Sequence, residues 1–177
     1  MNNKSQMQRH CFNEQLEIAL SMRKETMERK FKLKYREGLL ISFLKKELNE
    51  YKFMGFNLVV DESKKIDCKT KSNYSFSFTA QQVCINSTCG NMNLVFEPDA
   101  FRPDGDNQTI LNYRVFFVLD GKEITQERHT LSWYAKDDDE ELDFWFFNAS
   151  QTRSTTLPSS KLNSLMLKAL LIATIPT

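Results

Sequence analysis

The sequence predicts an α+β fold: a long N-terminal helix that forms a short coiled coil, an antiparallel sheet of about seven strands, and a C-terminal helix packed on the sheet. Three observations carry this. Residues 12–54 hold no proline and a single glycine, Gly38, and are rich in Glu, Lys, Arg, Leu and Met, residues that lose little freedom in a helix. After Gly55 the apolar period drops to two, the period of a half-buried strand. After Pro158 it returns to the helical spacing.

A seven-residue frame through the first segment places Leu16, Leu20, Met27, Ile41, Leu44, Leu48 and Tyr51 at core positions. The same frame puts Arg23, Lys30, Lys34 and Glu37 there, so the seam is clean at the beginning and over 41–51 only. Two helices meeting near Gly38 fit the same pattern, and so does one amphipathic helix lying on its own sheet. Pairing between chains is the preferred expectation, because the helix is longer than one small sheet can cover. Strand patterns follow at 56–60, 74–80, 83–85, 94–97, 113–119, 123–135 and 142–147. Tyr74, Phe76 and Phe78 alternate with polar residues. Asp120-Gly121 between two apolar runs is a two-residue hairpin signal. Residues 98–108, with two prolines and a glycine, read as a surface loop. The last helix runs from Pro158 to about Ala173, with Leu162, Leu165, Met166, Ala169, Leu170 and Ala173 on one face. This divides the chain into a helical segment, 1–54, and a globular α+β domain, 55–177.

The 177 residues include 14 phenylalanines and carry a net charge of +1, so global charge does not select a nucleic-acid partner. Charge is nonetheless polarised: 23–36 is strongly basic and 137–143 strongly acidic. The basic stretch is able to touch phosphate, but it also holds Glu25 and Glu28, and its Phe31 and Tyr35 read as packing residues. The first residues lack the apolar core of a secretory signal, and no apolar run is long enough to span a bilayer. The expected location is therefore intracellular, nuclear or cytoplasmic, with Cys11, Cys68, Cys84 and Cys89 as reduced thiols. Against this, Asn-x-Ser/Thr occurs at Asn3, Asn73, Asn86, Asn107 and Asn148. That keeps a second class open: a secreted or lumenal, glycosylated, ligand-binding β-rich domain.

Catalytic patterns are missing. The five glycines form no GxGxxG or GxxxxGK loop, and there is no GxSxG elbow or HExxH pair. His10 and His129 are far apart in sequence, and His129 reads as a partly exposed strand residue. Cys84-x4-Cys89 is wider than a zinc or redox CxxC, and with Cys68 it still lacks a fourth ligand. The expectation is a non-enzyme with no cofactor and no metal site.

The junction from 136 to 148 joins an acidic run to an aromatic one. Asp137, Asp138, Asp139, Glu140 and Glu141 lack the alternation and the central glycine of a calcium loop. They read as a solvated hairpin tip that discourages strand pairing. Behind them, Phe144 and Phe146 alternate with Trp145 and Phe147, so the strand is apolar on both faces and needs two covers. The acids, with Trp145 and Phe147, form the expected surface for a basic-hydrophobic partner segment.

The passage from residues 40–53 into 56–60, then 74–80, closed by 157–171, resembles the RWD-like domains of kinetochore and monopolin coiled-coil subunits in the order of its parts. The resemblance implies a dimeric scaffold that recruits short peptides beside its sheet. The number of strand patterns between 83 and 147 exceeds that family's, which keeps a pleckstrin-homology-like sheet as a rival. The function expected is a homodimeric, protein-binding scaffold.

Overall fold

The computed structural model describes residues 3–88, 91–101, 110–136, 139–149 and 159–175. A single helix, α1 (Asn3–Glu50), is followed by a 3-10 turn (Lys52–Met54) that ends at Gly55 in the left-handed region. Among the described residues, seven strands come next: β1 (Phe56–Lys69), β2 (Ser75–Ser87), β3 (Met92–Phe101), β4 (Ile110–Leu119), β5 (Lys122–Lys136), β6 (Asp139–Asn148) and β7 (Ser160–Lys161). They form one antiparallel meander in sequence order, and α2 (Ser164–Ile172) closes the chain.

The chain is α+β as expected, but the strand set differs from the sequence patterns. Residues 74–80 and 83–85 belong to one strand, β2. Its buried positions run Phe76, Phe78, Ala80 and then Val83, Ile85, Ser87, so the alternation slips by one residue without a turn. The slip faces an irregularity in β1 between Asp61 and Lys64, where Gln81 has no ladder partner. A bulge changes strand phase without ending pairing, and no glycine or proline is present there to reverse the chain. The Asp120-Gly121 hairpin is formed, with φ values of 50° and 77°, as the right-handed twist of the flanking strands demands.

Helix α1 is continuous through Gly38 and does not divide there. Nothing lies within 4 Å of where a Cβ on Gly38 would sit. Gly38→Ala is therefore expected to raise unfolding stability by about 0.5–1 kcal/mol, read from the urea midpoint. A loss of stability would instead indicate a required break in the helix.

The core lies between one face of the sheet and the C-terminal half of α1. Leu33, Leu40, Ile41, Leu44 and Leu48 share a single buried cluster with Phe78, Val83, Phe96, Tyr113, Leu131, Trp145 and Phe147. The boundary at 54/55 thus does not separate two units, because half of the helix belongs to the sheet's own core. Helix α2 adds Met166, Leu167, Leu170 and Leu171 to the same cluster. This corrects its expected face: Leu165 is exposed, whereas Leu167 and Leu171 are buried. The segment is apolar almost all round, so periodicity chooses poorly, and Asn163 starts it later than Pro158 by accepting a capping bond from Met166 N–H at 3.0 Å.

Candidate interaction surface on the long helix

What fixes α1 on the sheet is a polar clamp inside an apolar seam. Glu37 is fully buried and accepts from the backbone N–H of Gln81, the residue missing from the β1–β2 ladder. Its other carboxylate oxygen accepts from Lys34. One helix carboxylate thus satisfies the strand donor that the bulge leaves over. Burial raises the pKa of the Tyr113 phenol, and the nearby Glu37 carboxylate pushes the same way. From the far side of the sheet, Trp145 Nε1 donates to the carbonyl oxygen of Arg36 at 3.0 Å, while the Arg36 guanidinium lies 5.2 Å from the centre of the Trp133 ring. Strands β1 and β2 also touch α1, so the sheet curves around the helix and grips it from both flanks.

The grip stops at the β1–β2 turn. There the backbone N–H of Ser72 donates to Glu25 at 3.1 Å, which holds the Glu25 carboxyl below its usual range. Beyond this contact, every residue from His10 to Lys24 is exposed. A 48-residue helix is about 72 Å long, so a substantial N-terminal arm stands clear of the domain. An isolated helix of that size is marginal in water.

An apolar ridge runs from the arm onto the outer face of the anchored half. Leu16, Leu20, Met27 and Phe31 are 48, 57, 62 and 74 % exposed. At 100° per residue they fall within an arc of about 60°. Phe12 and Tyr35 extend the row at either end and are also exposed. An exposed apolar row of this length on a water-facing helix is a candidate interaction surface.

The expected dimer seam is therefore split by the structure. Leu16 and Leu20 on the arm and Met27 just past the Glu25 contact are exposed, whereas Ile41, Leu44 and Leu48 are buried within the same chain and Tyr51 packs half-buried against that core. The seven-residue frame was blind to this, because a helix face reads the same in sequence whether a sheet or a second helix covers it. Phe31 and Tyr35, read as packing residues, are exposed. The signal for them was the four-residue spacing from Met27 to Phe31 and from Phe31 to Tyr35.

The expected partner surface at the acidic junction is also revised. Trp145 and Phe147 are 5 % and 0 % exposed and face the core, where Trp145 meets Tyr113 and Trp133 edge-on at 5.5 and 5.3 Å. Trp145 is tied to α1 through the Arg36 carbonyl, and both residues belong to the one buried cluster that the sheet shares with α1 and α2, so they are not available to a partner. Phe144 and Phe146 on the opposite face are half-buried, and Lys161 Nζ lies 4.9 Å over the Phe144 ring. Asp137 and Asp138 lie outside the described residues. Asp139, Glu140 and Glu141 begin β6, where Asp139 pairs with Lys136, but their side chains lie outside the description.

Among the described residues, the histidines and thiols singled out from the sequence lie apart. His129 is buried, not partly exposed, because its register opposite Val115 points it into the core, with the Phe147 ring 5.0 Å away. Burial pushes the Cys68 thiol up to about 11, which leaves little thiolate at neutral pH. A shallow, open depression lined by Asp67, Cys68, Lys69, Ser75, Phe76 and Ser77 lies along the β1–β2 pair and holds no histidine. Among the described residues, no group of three His, Cys, Asp or Glu side chains is placed to hold a metal ion, and Cys11, Cys68 and Cys84 are free thiols. Cys89 and Asn107 lie outside the described residues, and the Asn73 acceptor is exposed in the turn before β2. No described helix is long and apolar enough to cross a membrane. The sequence matches no known protein-family model and no curated protein, and the fold matches no solved structure.

Proposed function

We propose that this chain is a non-enzymatic, intracellular protein-interaction scaffold that self-associates through the N-terminal arm of α1. The observation that carries the reading is the exposed ridge Leu16, Leu20, Met27, Phe31 on a helix whose other half is anchored in the sheet. The anchored half makes the arm a rigid extension of a folded domain, which lowers the ordering cost of docking. The ridge supplies the apolar area that association needs. The narrower reading, a kinetochore-type subunit, rests on the order of helix, sheet and helix alone.

Leu16→Asp combined with Met27→Asp tests this. Both positions are exposed, so the domain is expected to stay folded by circular dichroism while sedimentation equilibrium shifts from dimer to monomer. Each lost apolar contact at a helix interface is worth about 1.5–3 kcal/mol, so the dissociation constant should rise at least a hundredfold. An unmodified chain that sediments as a monomer at tens of micromolar would sink the proposal.

A further inference from the structure

The ridge has a symmetry that selects its occupant. Leu20 and Met27 lie equally far from the midpoint between Arg23 and Lys24. The same holds for Leu16 and Phe31, and again for Phe12 and Tyr35. All six are exposed. A row of that form is superposed on itself by a two-fold axis perpendicular to the helix. In an antiparallel pair Leu20 of one copy then meets Met27 of the other, Leu16 meets Phe31, and Phe12 meets Tyr35. Such an interface is self-complementary and closes, as an isologous dimer must.

Charge points in the same direction. Residues 10–22 contain two glutamates and no Lys or Arg, whereas 23–36 contain seven Lys or Arg against two glutamates. Antiparallel docking lays the acidic end of each arm along the basic stretch of the other copy. Parallel docking would stack both Arg23 and Lys30 of the seven-residue frame against their own copies, whereas antiparallel docking brings like charges together only at its centre, where Arg23 and Lys24 of the two copies meet; like charges across a helix pair destabilise it.

We infer that two copies of this chain dock through an antiparallel, two-fold pairing of residues 12–35, centred between Arg23 and Lys24, with the globular domains carried to opposite ends. The inference rests on the self-association proposed above and adds its geometry. The paired segment is about 35 Å long. It buries large rigid side chains, Phe12, Phe31 and Tyr35, at its outer ends and the slimmer Leu and Met near its centre.

Two cysteines placed on the pairing face provide the readout. Native Cys11 is exposed but lies about 170° round the helix from the centre of the ridge, so it is replaced by Ser. In the antiparallel pair the two copies of residue 16 lie roughly 22 Å apart along the axis, too far for a disulfide. In a parallel pair they would face each other. Lys24, also exposed, sits at the two-fold axis. A Cys11→Ser, Leu16→Cys variant and a Cys11→Ser, Lys24→Cys variant are each oxidised at a concentration where sedimentation shows dimer, then run without reductant. The expected result is a covalent dimer from the Lys24→Cys variant and none from the Leu16→Cys variant. A covalent dimer from the Leu16→Cys variant would overturn the antiparallel geometry and leave self-association standing. Dimers that cross-link at neither position would place the interface off the arm and overturn the inference too. A chain that is monomeric throughout would remove both proposals and assign the ridge to a different protein's helix or to a lipid surface.

Discussion

Ile41→Asp combined with Leu48→Asp is expected to unfold the whole domain, not to split a dimer. Both side chains are almost fully buried in the cluster between α1 and the sheet. Each substitution forfeits about 1.5–3 kcal/mol of apolar burial and places a carboxylate inside an apolar cluster, which costs several kcal/mol more. The sum is comparable to the roughly 5–15 kcal/mol that hold a domain of this kind together. Circular dichroism at neutral pH should show loss of the sheet signal and no cooperative urea transition. A folded double variant with altered sedimentation would instead show that 41–48 serves a second chain. The contrast with Leu16→Asp plus Met27→Asp matters. The same chemical change on the same helix should abolish the fold at one end and only association at the other.

Glu37→Ala is expected to cost about 3 kcal/mol. The substitution removes the acceptor of the Gln81 N–H and leaves that donor buried without a partner. It also opens a gap between helix and sheet that Ala does not fill. Glu37→Gln keeps an acceptor at the same place and should recover most of the loss, as measured by urea midpoints of the three proteins. Tyr113 supplies an independent readout. Its pKa is raised first by burial and then by the Glu37 carboxylate, so the folded state holds the phenolic proton more tightly than the unfolded state does. Stability from this source is intact below about pH 10, the unfolded value, and falls as pH rises above it. Without the Glu37 charge the shift should shrink, and absorbance titration should find the Tyr113 phenolate forming at lower pH. An unchanged titration in a folded Glu37→Ala protein would remove Glu37 from that environment.

The parts of the fold legible in sequence were those set by local chemistry. Residues 12–54 had to be helical because nothing in them breaks a helix, and the Asp120-Gly121 hairpin followed from the demand for positive φ at both positions. Phe76 and Phe78 were placed on one face by alternation alone. Phase errors were not legible. The slip between Ala80 and Val83 made one strand look like two, and the buried face of α2 was misplaced because its apolar residues run almost all round the helix. For the candidate site, the seam residues Leu16, Leu20 and Met27 were found, while Phe31 and Tyr35 were set aside as packing residues although they are among the most exposed aromatics on the helix. Trp145 and Phe147 were correctly read as needing cover. The sequence offered no way to tell that the chain's own buried cluster, with α1 bonded to Trp145, provides it.

What the sequence by itself determined is therefore element identity: a long helix, a sequential run of antiparallel strands, a short closing helix, and an apolar row along the first of these. What only the tertiary structure decided is which length of that row is already covered. Helical periodicity reports that a face is apolar, a property of the chain. Whether water touches that face depends on how far the sheet reaches along the helix. Here the sheet's hold ends where the β1–β2 turn meets Glu25. C-terminal to that contact, Ile41, Leu44 and Leu48 hold the domain together. N-terminal to it, Leu16 and Leu20 face solvent, and Met27 and Phe31 carry the ridge onto the outer face of the anchored half.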